Sequence, residues 1–274
     1  TPNSLHYARN HFDTPSIDMS GWSLLIDGQV ARPIELSYSD ILELPSRTLP
    51  VTMECAGNNR SNLTPTVPGN QFRGGAVSTA IWTGVSLKTI LEQTILRGSA
   101  KEVLFEGADK GDPEPNGPVI PYQRSLPLDV ALDSDTLLAY EMNGEPLPVD
   151  HGFPVRLVVP DWYGMASVKW VNRITVLDNS FEGFFQTSRY VLPGDKGAST
   201  PVTTMYVKSL ISRPRHGEVY GLGEHNVTGL AWSGDGKISQ VDVSDDYGET
   251  WNPALLGGPQ QHYTWRQWST SWKP

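Results

Sequence analysis

The segment Val51-Thr52-Met53-Glu54-Cys55-Ala56-Gly57-Asn58-Asn59-Arg60 constrains this chain more than any other. Its apolar start predicts a strand, which delivers the single cysteine of 274 residues into a turn of one Ala, one Gly and two Asn. Gly and Asn tolerate the backbone angles of a tight turn, and small side chains let other groups approach the sulfur. A lone buried thiol can be no more than a small hydrophobe. The Arg five residues on points further, because a nearby cation favours thiolate, the form that binds soft metals or attacks electrophiles.

Charge sets a second constraint. Lysine and arginine number 21 against 30 acidic residues, a net charge of -9. That balance disfavours nucleic acid, which needs a basic face. It would also repel an anionic substrate, so a local cluster of Arg must dominate inside any pocket that takes one. An acidic exterior suits a basic electron-accepting protein, or simply a well-solvated surface. Hydrophobic residues at 38% and charged residues at 19% fit a globular protein. No apolar run approaches the roughly 20 residues that span a bilayer. The sequence shows no signal peptide and starts at Thr1 rather than Met, so a leader is expected to have been removed.

Along the chain, residues 1–20 read as an arm crowded with His6, Arg9 and His11. Asp27-Gly28 between apolar runs is a hairpin turn signal. Ser37 with Asp40 resembles a capping pair for a short helix that Pro45 stops. Residues 61–80 read as a loop over the cysteine, and Ser86 to Gln93 as a helix. Val103-Leu104-Phe105 reads as a strand ending at Glu106-Gly107-Ala108-Asp109. Thr136 to Met142 is another strand, turning at Asn143-Gly144, and Val155 to Val159 is a buried strand between prolines. Composition shifts around Leu192 to Gly197, which places a domain boundary between residues 195 and 196. Beyond it, Val227–Trp232, Gln240–Ser244 and Thr250-Trp251 predict short strands of an immunoglobulin-like sandwich. Such a sandwich takes about 100 residues, so the domain of residues 196–274 is expected to be incomplete.

Cys55-Ala56-Gly57-Asn58-Asn59-Arg60 resembles the molybdenum-ligating segment of the sulfite oxidase family of molybdopterin enzymes. Arg9-Asn10-His11 is similar to its amino-terminal cofactor segment. Phe105-Glu106-Gly107-Ala108-Asp109, Leu138-Ala139-Tyr140-Glu141-Met142-Asn143-Gly144 and the stretch from Asp150-His151-Gly152-Phe153-Pro154-Val155-Arg156 to Ser167-Val168-Lys169-Trp170 resemble further blocks in the family's order. The resemblance covers most of residues 5–190 and implies a haem-free, bacterial-type member. Its fold would be an α+β mixed sulfite-oxidase-type molybdopterin domain over residues 1–195, followed by a dimerisation domain.

The resemblance also implies roles. Cys55 would ligate molybdenum, a soft metal that suits thiolate. Tyr7, Ala8, Arg9, Asn10, His11, Asp109, His151, Arg156, Ser167, Val168 and Lys169 would hold molybdopterin, with Arg matching an oxyanion through its planar fork. Arg9, Arg60 and Tyr190 would face a small anionic substrate, sulfite. Electrons would leave to an external acceptor such as a c-type cytochrome, since one cysteine cannot form a Cys-x-x-Cys-His haem attachment. A homodimer and export to a periplasmic space are also implied. Asn59 stands where vertebrate and plant members usually carry a second Arg, and a substrate-facing Arg of the sandwich domain has no clear counterpart. Sulfane oxidation or sulfoxide reduction are therefore alternatives. From other classes come a metal-free hydrolase pairing Cys55 with His151, and an interaction protein working through the sandwich.

Overall fold

The structure, a computed structural model, describes residues 1–194, 199–258 and 261–273. The expected boundary between residues 195 and 196 lies outside them. Two five-stranded sheets carry the first part of the chain. One runs in the order Ile34–Ser37, Ser23–Gly28, Val171–Leu177, Glu102–Gly111, Ile120–Pro127. Its Ser23–Gly28 and Val171–Leu177 strands are parallel, with Leu25 opposite Arg173, and the other pairs are antiparallel. The second sheet has the order Ser46–Glu54, Val77–Ser86, Leu137–Met142, Glu145–Pro146, with Arg156–Val158 also paired to Leu137–Met142.

Alternation along these strands positions the site. In Glu102–Gly111 every second residue faces inward, so Val103 and Phe105 enter the core and the same period carries Asp109 inside after them. In Ser46–Glu54, Val51 and Met53 share one face, which continues to Cys55. Thr52 and Glu54 occupy the opposite face. That face meets the C-terminal region: Thr52 N donates to Tyr263 O at 2.8 Å, and Trp265 N donates to Thr52 Oγ1 at 2.9 Å.

The C-terminal region is a four-stranded antiparallel sheet in the order Lys208–Arg213, His225–Trp232, Arg266–Trp272, Leu255–Leu256, with a short pair Asp242–Val243 and Asn252–Pro253. Trp232, Met205 and Val202 pack with Val77, Tyr163 and Met165 of the first part in one apolar cluster.

The mixed α+β expectation agrees with a molecule that is mostly sheet with few helices, the longest described ones, Tyr38–Glu43 and Leu87–Glu92, having six residues each. Several expectations need correction. Asp27-Gly28 is not a hairpin turn. The strand runs through it because Gly28, at φ 91°, lies flush against Val176, and the chain reverses over residues 29–33 instead. The strand from Val103 continues to Gly111, and the expected loop of residues 61–80 gives way to strand at Val77. The last short strand sits at Asn252–Pro253, just beyond Thr250-Trp251. The helix after Ser37 forms as expected: Ser37 Oγ accepts from Asp40 N at 3.2 Å and Asp40 Oδ2 accepts from Ser37 N at 2.8 Å. No helix among the described residues is long and apolar enough to cross a membrane.

Candidate active site

Cys55 ends its strand at the wall of a cavity of about 650 Å³, counting the space at its mouth. The turn beyond the sulfur is fixed by backbone bonds. Cys55 N donates to Ala76 O at 2.9 Å, and Asn58 N donates to Cys55 O at 2.8 Å. Asn59 takes the left-handed φ of 63° that the turn requires, which Asn tolerates better than most residues. Gly57 N points at the sulfur, 3.5 Å from Sγ.

Tyr7, Ala8, Arg9, Asn10, His11, Cys55, Asp109, His151, Arg156, Ser167, Lys169 and Tyr190 all line this one cavity. The amino-terminal arm is therefore a wall of the site rather than a solvated tail.

Two expected residues are placed elsewhere. Val168 is buried in the main apolar core, and its backbone is used internally: Leu157 N donates to Val168 O at 2.8 Å, and Val168 N donates to Ala166 O at 3.0 Å. Arg60 is absent from the cavity wall. Its Nη1 donates to Asn70 O at 3.0 Å, and its guanidinium lies over Gly57 and Gly69, where a Cβ would meet it at 3.1 and 2.7 Å. That contact holds the cysteine turn against the following loop. Arg60→Gln should accordingly lower Tm by about 2–4 °C for the roughly 1 kcal/mol of a lost hydrogen bond. The KM for an anionic substrate in the surviving enzyme should stay within about twofold, whereas loss of a charge-assisted substrate contact would raise it roughly 10- to 100-fold. Steady-state kinetics beside a melting curve separate the two.

The cavity is cationic inside an acidic protein. Arg156 is buried, yet no carboxylate pairs with it among the described residues. It donates to His151 O at 3.0 Å and Ser167 O at 3.1 Å, and its guanidinium carbon sits 4.8 Å from the Trp82 ring centroid. Burial lowers it to about 10, which leaves it protonated at neutral pH. Lys169 donates to Asn10 Oδ1 and, at 2.7 Å, to Asp150 O. Burial first, and then the neighbouring Arg156, bring Lys169 down to about 7. Arg9 hydrogen-bonds to no described residue, so its guanidinium is available to the cavity.

The neutral groups are equally specific. His11 Nε2 and Tyr190 OH are 2.6 Å apart, and the imidazole stacks on Tyr122. Burial, then Arg9 and Arg189, hold His11 down to about 3, so it stays neutral, and in the Nε2–H tautomer it can donate to the phenol oxygen. Burial, then Cys55, push Tyr190 up to about 12, so the phenol keeps its proton as a donor. Burial raises Asp109 to about 6, and its Oδ1 is buried with no partner among the described residues. His6 Nδ1 faces Tyr7 O at 3.1 Å, which leaves Nε2 buried without a partner.

Sequence reading did not assign His6, Met53, Tyr122, Gly164, Met165 or Trp170 to this site, yet all six line the cavity. Met53 was findable, two residues before Cys55 on the same strand face. Tyr122 was not, because its strand lacks a clean two-residue period. Trp170, at φ 53°, holds a conformation rare for a bulky residue, a kind of strain that collects at functional sites.

A hydrolytic dyad is not assembled here. His151 donates through Nε2 to Asn3 O at 3.2 Å, and among the described residues no imidazole hydrogen-bonds to Cys55. The donor set fits molybdopterin instead. Cys55 offers one soft ligand, the unpartnered Asp109 and His6 atoms suit a polar ring, and Arg9, Arg156 and Lys169 suit a phosphate.

Comparison with known proteins agrees with that chemistry. Residues 11–185 match the family described as an oxidoreductase molybdopterin binding domain. Residues 199–273 match a Mo-co oxidoreductase dimerisation domain. Human mitochondrial sulfite oxidase is 38% identical over 288 residues, covering 98% of this chain and 52% of that protein. A nitrate reductase [NAD(P)H] of Hordeum vulgare is 35% identical over 302 residues, covering 98% of this chain and 34% of that protein. The chain thus spans about half the length, or less, of these curated relatives. The crystal structure of the sulfane dehydrogenase SoxCD from Paracoccus pantotrophus superposes with a TM-score of 0.87 at 31% identity, covering 100% of this chain and 69% of that one.

Proposed function

The chain belongs to the sulfite oxidase family of molybdopterin-dependent oxidoreductases, and from that premise we propose that it oxidises sulfite to sulfate and passes the electrons to an external acceptor such as a c-type cytochrome. One observation carries the reading. A buried cysteine shares a cavity with three cations that no carboxylate pairs among the described residues, inside a chain of net charge -9. Such a site favours a small anion and an anionic cofactor over any neutral ligand.

Cys55 is the metal ligand in this reading. Arg156, Lys169, Asp109, His151, Ser167, His11 and the arm residues Tyr7, Ala8, Arg9 and Asn10 hold the pterin and its phosphate. When bound, the molybdenum cofactor supplies oxygen-atom transfer and accepts two electrons. Arg9 draws the anion in and orients it, and Tyr190 donates its hydroxyl hydrogen bond while His11 holds that phenol in place. The buried apolar walls limit water, which strengthens each of these contacts.

The C-terminal region is proposed to pair two copies of the chain, as an immunoglobulin-like module of residues 196–274. Support comes from the dimerisation-domain match and from exposed Val207, Ile211, Val219 and Leu222. Export to a periplasmic space belongs to the same proposal.

The likeness to a sulfane dehydrogenase keeps a second substrate in view. Steady-state assays with ferricyanide or cytochrome c as acceptor decide between them. Turnover with sulfite is expected. Turnover confined to a protein-bound sulfane sulfur, or to nitrate with a reduced dye, would overturn the sulfite assignment.

A further inference from the structure

Glu54 immediately precedes Cys55, and its side chain is fully buried on the strand face away from the cavity. A carboxylate there persists only if donors surround it. Three do: Lys208 Nζ at 2.7 Å, Trp232 Nε1 at 2.9 Å and Asn58 Nδ2 at 3.0 Å. Asn58 belongs to the cysteine turn, and its Oδ1 accepts from Ala76 N at 3.1 Å. Ala76 in turn holds Cys55 N through its carbonyl at 2.9 Å.

The other two donors come from the C-terminal sheet. Lys208 and Trp232 are direct cross-strand partners there. Lys208 also sits 5.5 Å from the ring centroid of Tyr163, which adjoins the cavity residues Gly164 and Met165. A hydrogen-bonded path therefore runs from the C-terminal sheet through Glu54 to Asn58, Ala76 and the backbone of Cys55. A contact serving only to join two domains has no need to end on the residue before the sulfur.

We propose that Lys208 and Trp232 are positioning residues for Cys55, so that the C-terminal sheet sets the placement of the sulfur through the Glu54 carboxylate as well as carrying any subunit contact. This rests on Cys55 being the metal ligand.

The test uses the rate at which a maleimide alkylates Cys55 in the full chain purified without cofactor. Cys55 is the only cysteine, so labelling reports this sulfur alone. Trp232→Phe keeps the ring packing and removes one donor, Lys208→Met removes the cation, and Lys208→Arg retains it. Freeing the turn by one hydrogen bond should raise the alkylation rate about 2- to 10-fold. Lys208→Arg should return it towards wild type, and the thiolate-to-molybdenum absorption band of the loaded variants should shift. Folded Trp232→Phe and Lys208→Met proteins with wild-type alkylation rates and an unmoved band would overturn the proposal. If Lys208→Met does not fold, Trp232→Phe decides alone. Alkylation does not depend on what Cys55 ligates, so its outcome is separate from the fate of the ligand assignment.

Discussion

Cys55→Ser should reduce sulfite turnover by at least about 100-fold, or roughly 2.7 kcal/mol in the barrier at 1.36 kcal/mol per decade. The substitution trades a soft sulfur for a hard oxygen, which a soft metal site does not accept as an equivalent. It leaves the rest of the cavity intact. Cys55 is buried at the end of its strand, and a serine hydroxyl can accept from the same Gly57 N–H. Arg9, Arg156 and Lys169 are unaltered, so the pterin should stay bound through its phosphate while activity disappears. Pterin fluorescence of the denatured protein, measured beside the turnover number, separates these effects. Retention of activity within a few-fold would remove Cys55 from the chemistry.

Arg156→Met should empty the site without unfolding the protein. Arg156 is 5% exposed and has no carboxylate partner among the described residues, an arrangement that costs free energy until an anion joins it. Methionine removes that charge but also strips donors from His151 O and Ser167 O. The two effects oppose, so the cofactor-free variant should melt within about 4 °C of wild type, the span of a 1 kcal/mol change. Cofactor affinity has no such offset. Losing a charge-assisted bond to a phosphate costs about 1.5–3 kcal/mol, or roughly 10- to 100-fold in affinity. Molybdenum content after dialysis should fall accordingly. Full occupancy in the variant would mean that the anion rests on Lys169 and Arg9 instead.

The sequence showed the chemistry of this site better than its frame. Cys55 and its turn were legible because Gly and Asn mark backbone angles that few other residues tolerate. The capping box at Ser37 and Asp40 was legible for the same reason, since its bonds are local. The resemblance supplied what spacing could not, namely that the arm from Tyr7 to His11 folds back onto the strand end. Parallel pairing of Ser23–Gly28 with Val171–Leu177 joins segments about 150 residues apart, and no local signal announces it. Arg60 shows that proximity in sequence to Cys55 does not fix direction: beyond the left-handed Asn59, its Nη1 donates to Asn70 O. The role of Glu54 was hidden because its donors Lys208 and Trp232 lie more than 150 residues away.

The most direct test of the account is molybdenum per chain, by elemental analysis of protein purified from cells that make molybdopterin, with sulfite turnover measured on the same sample. The account predicts close to one molybdenum per chain and turnover that scales with metal content across preparations. Sulfite turnover in protein free of molybdenum, or a full complement of metal held equally well after Arg156→Met and Cys55→Ser together, would contradict it.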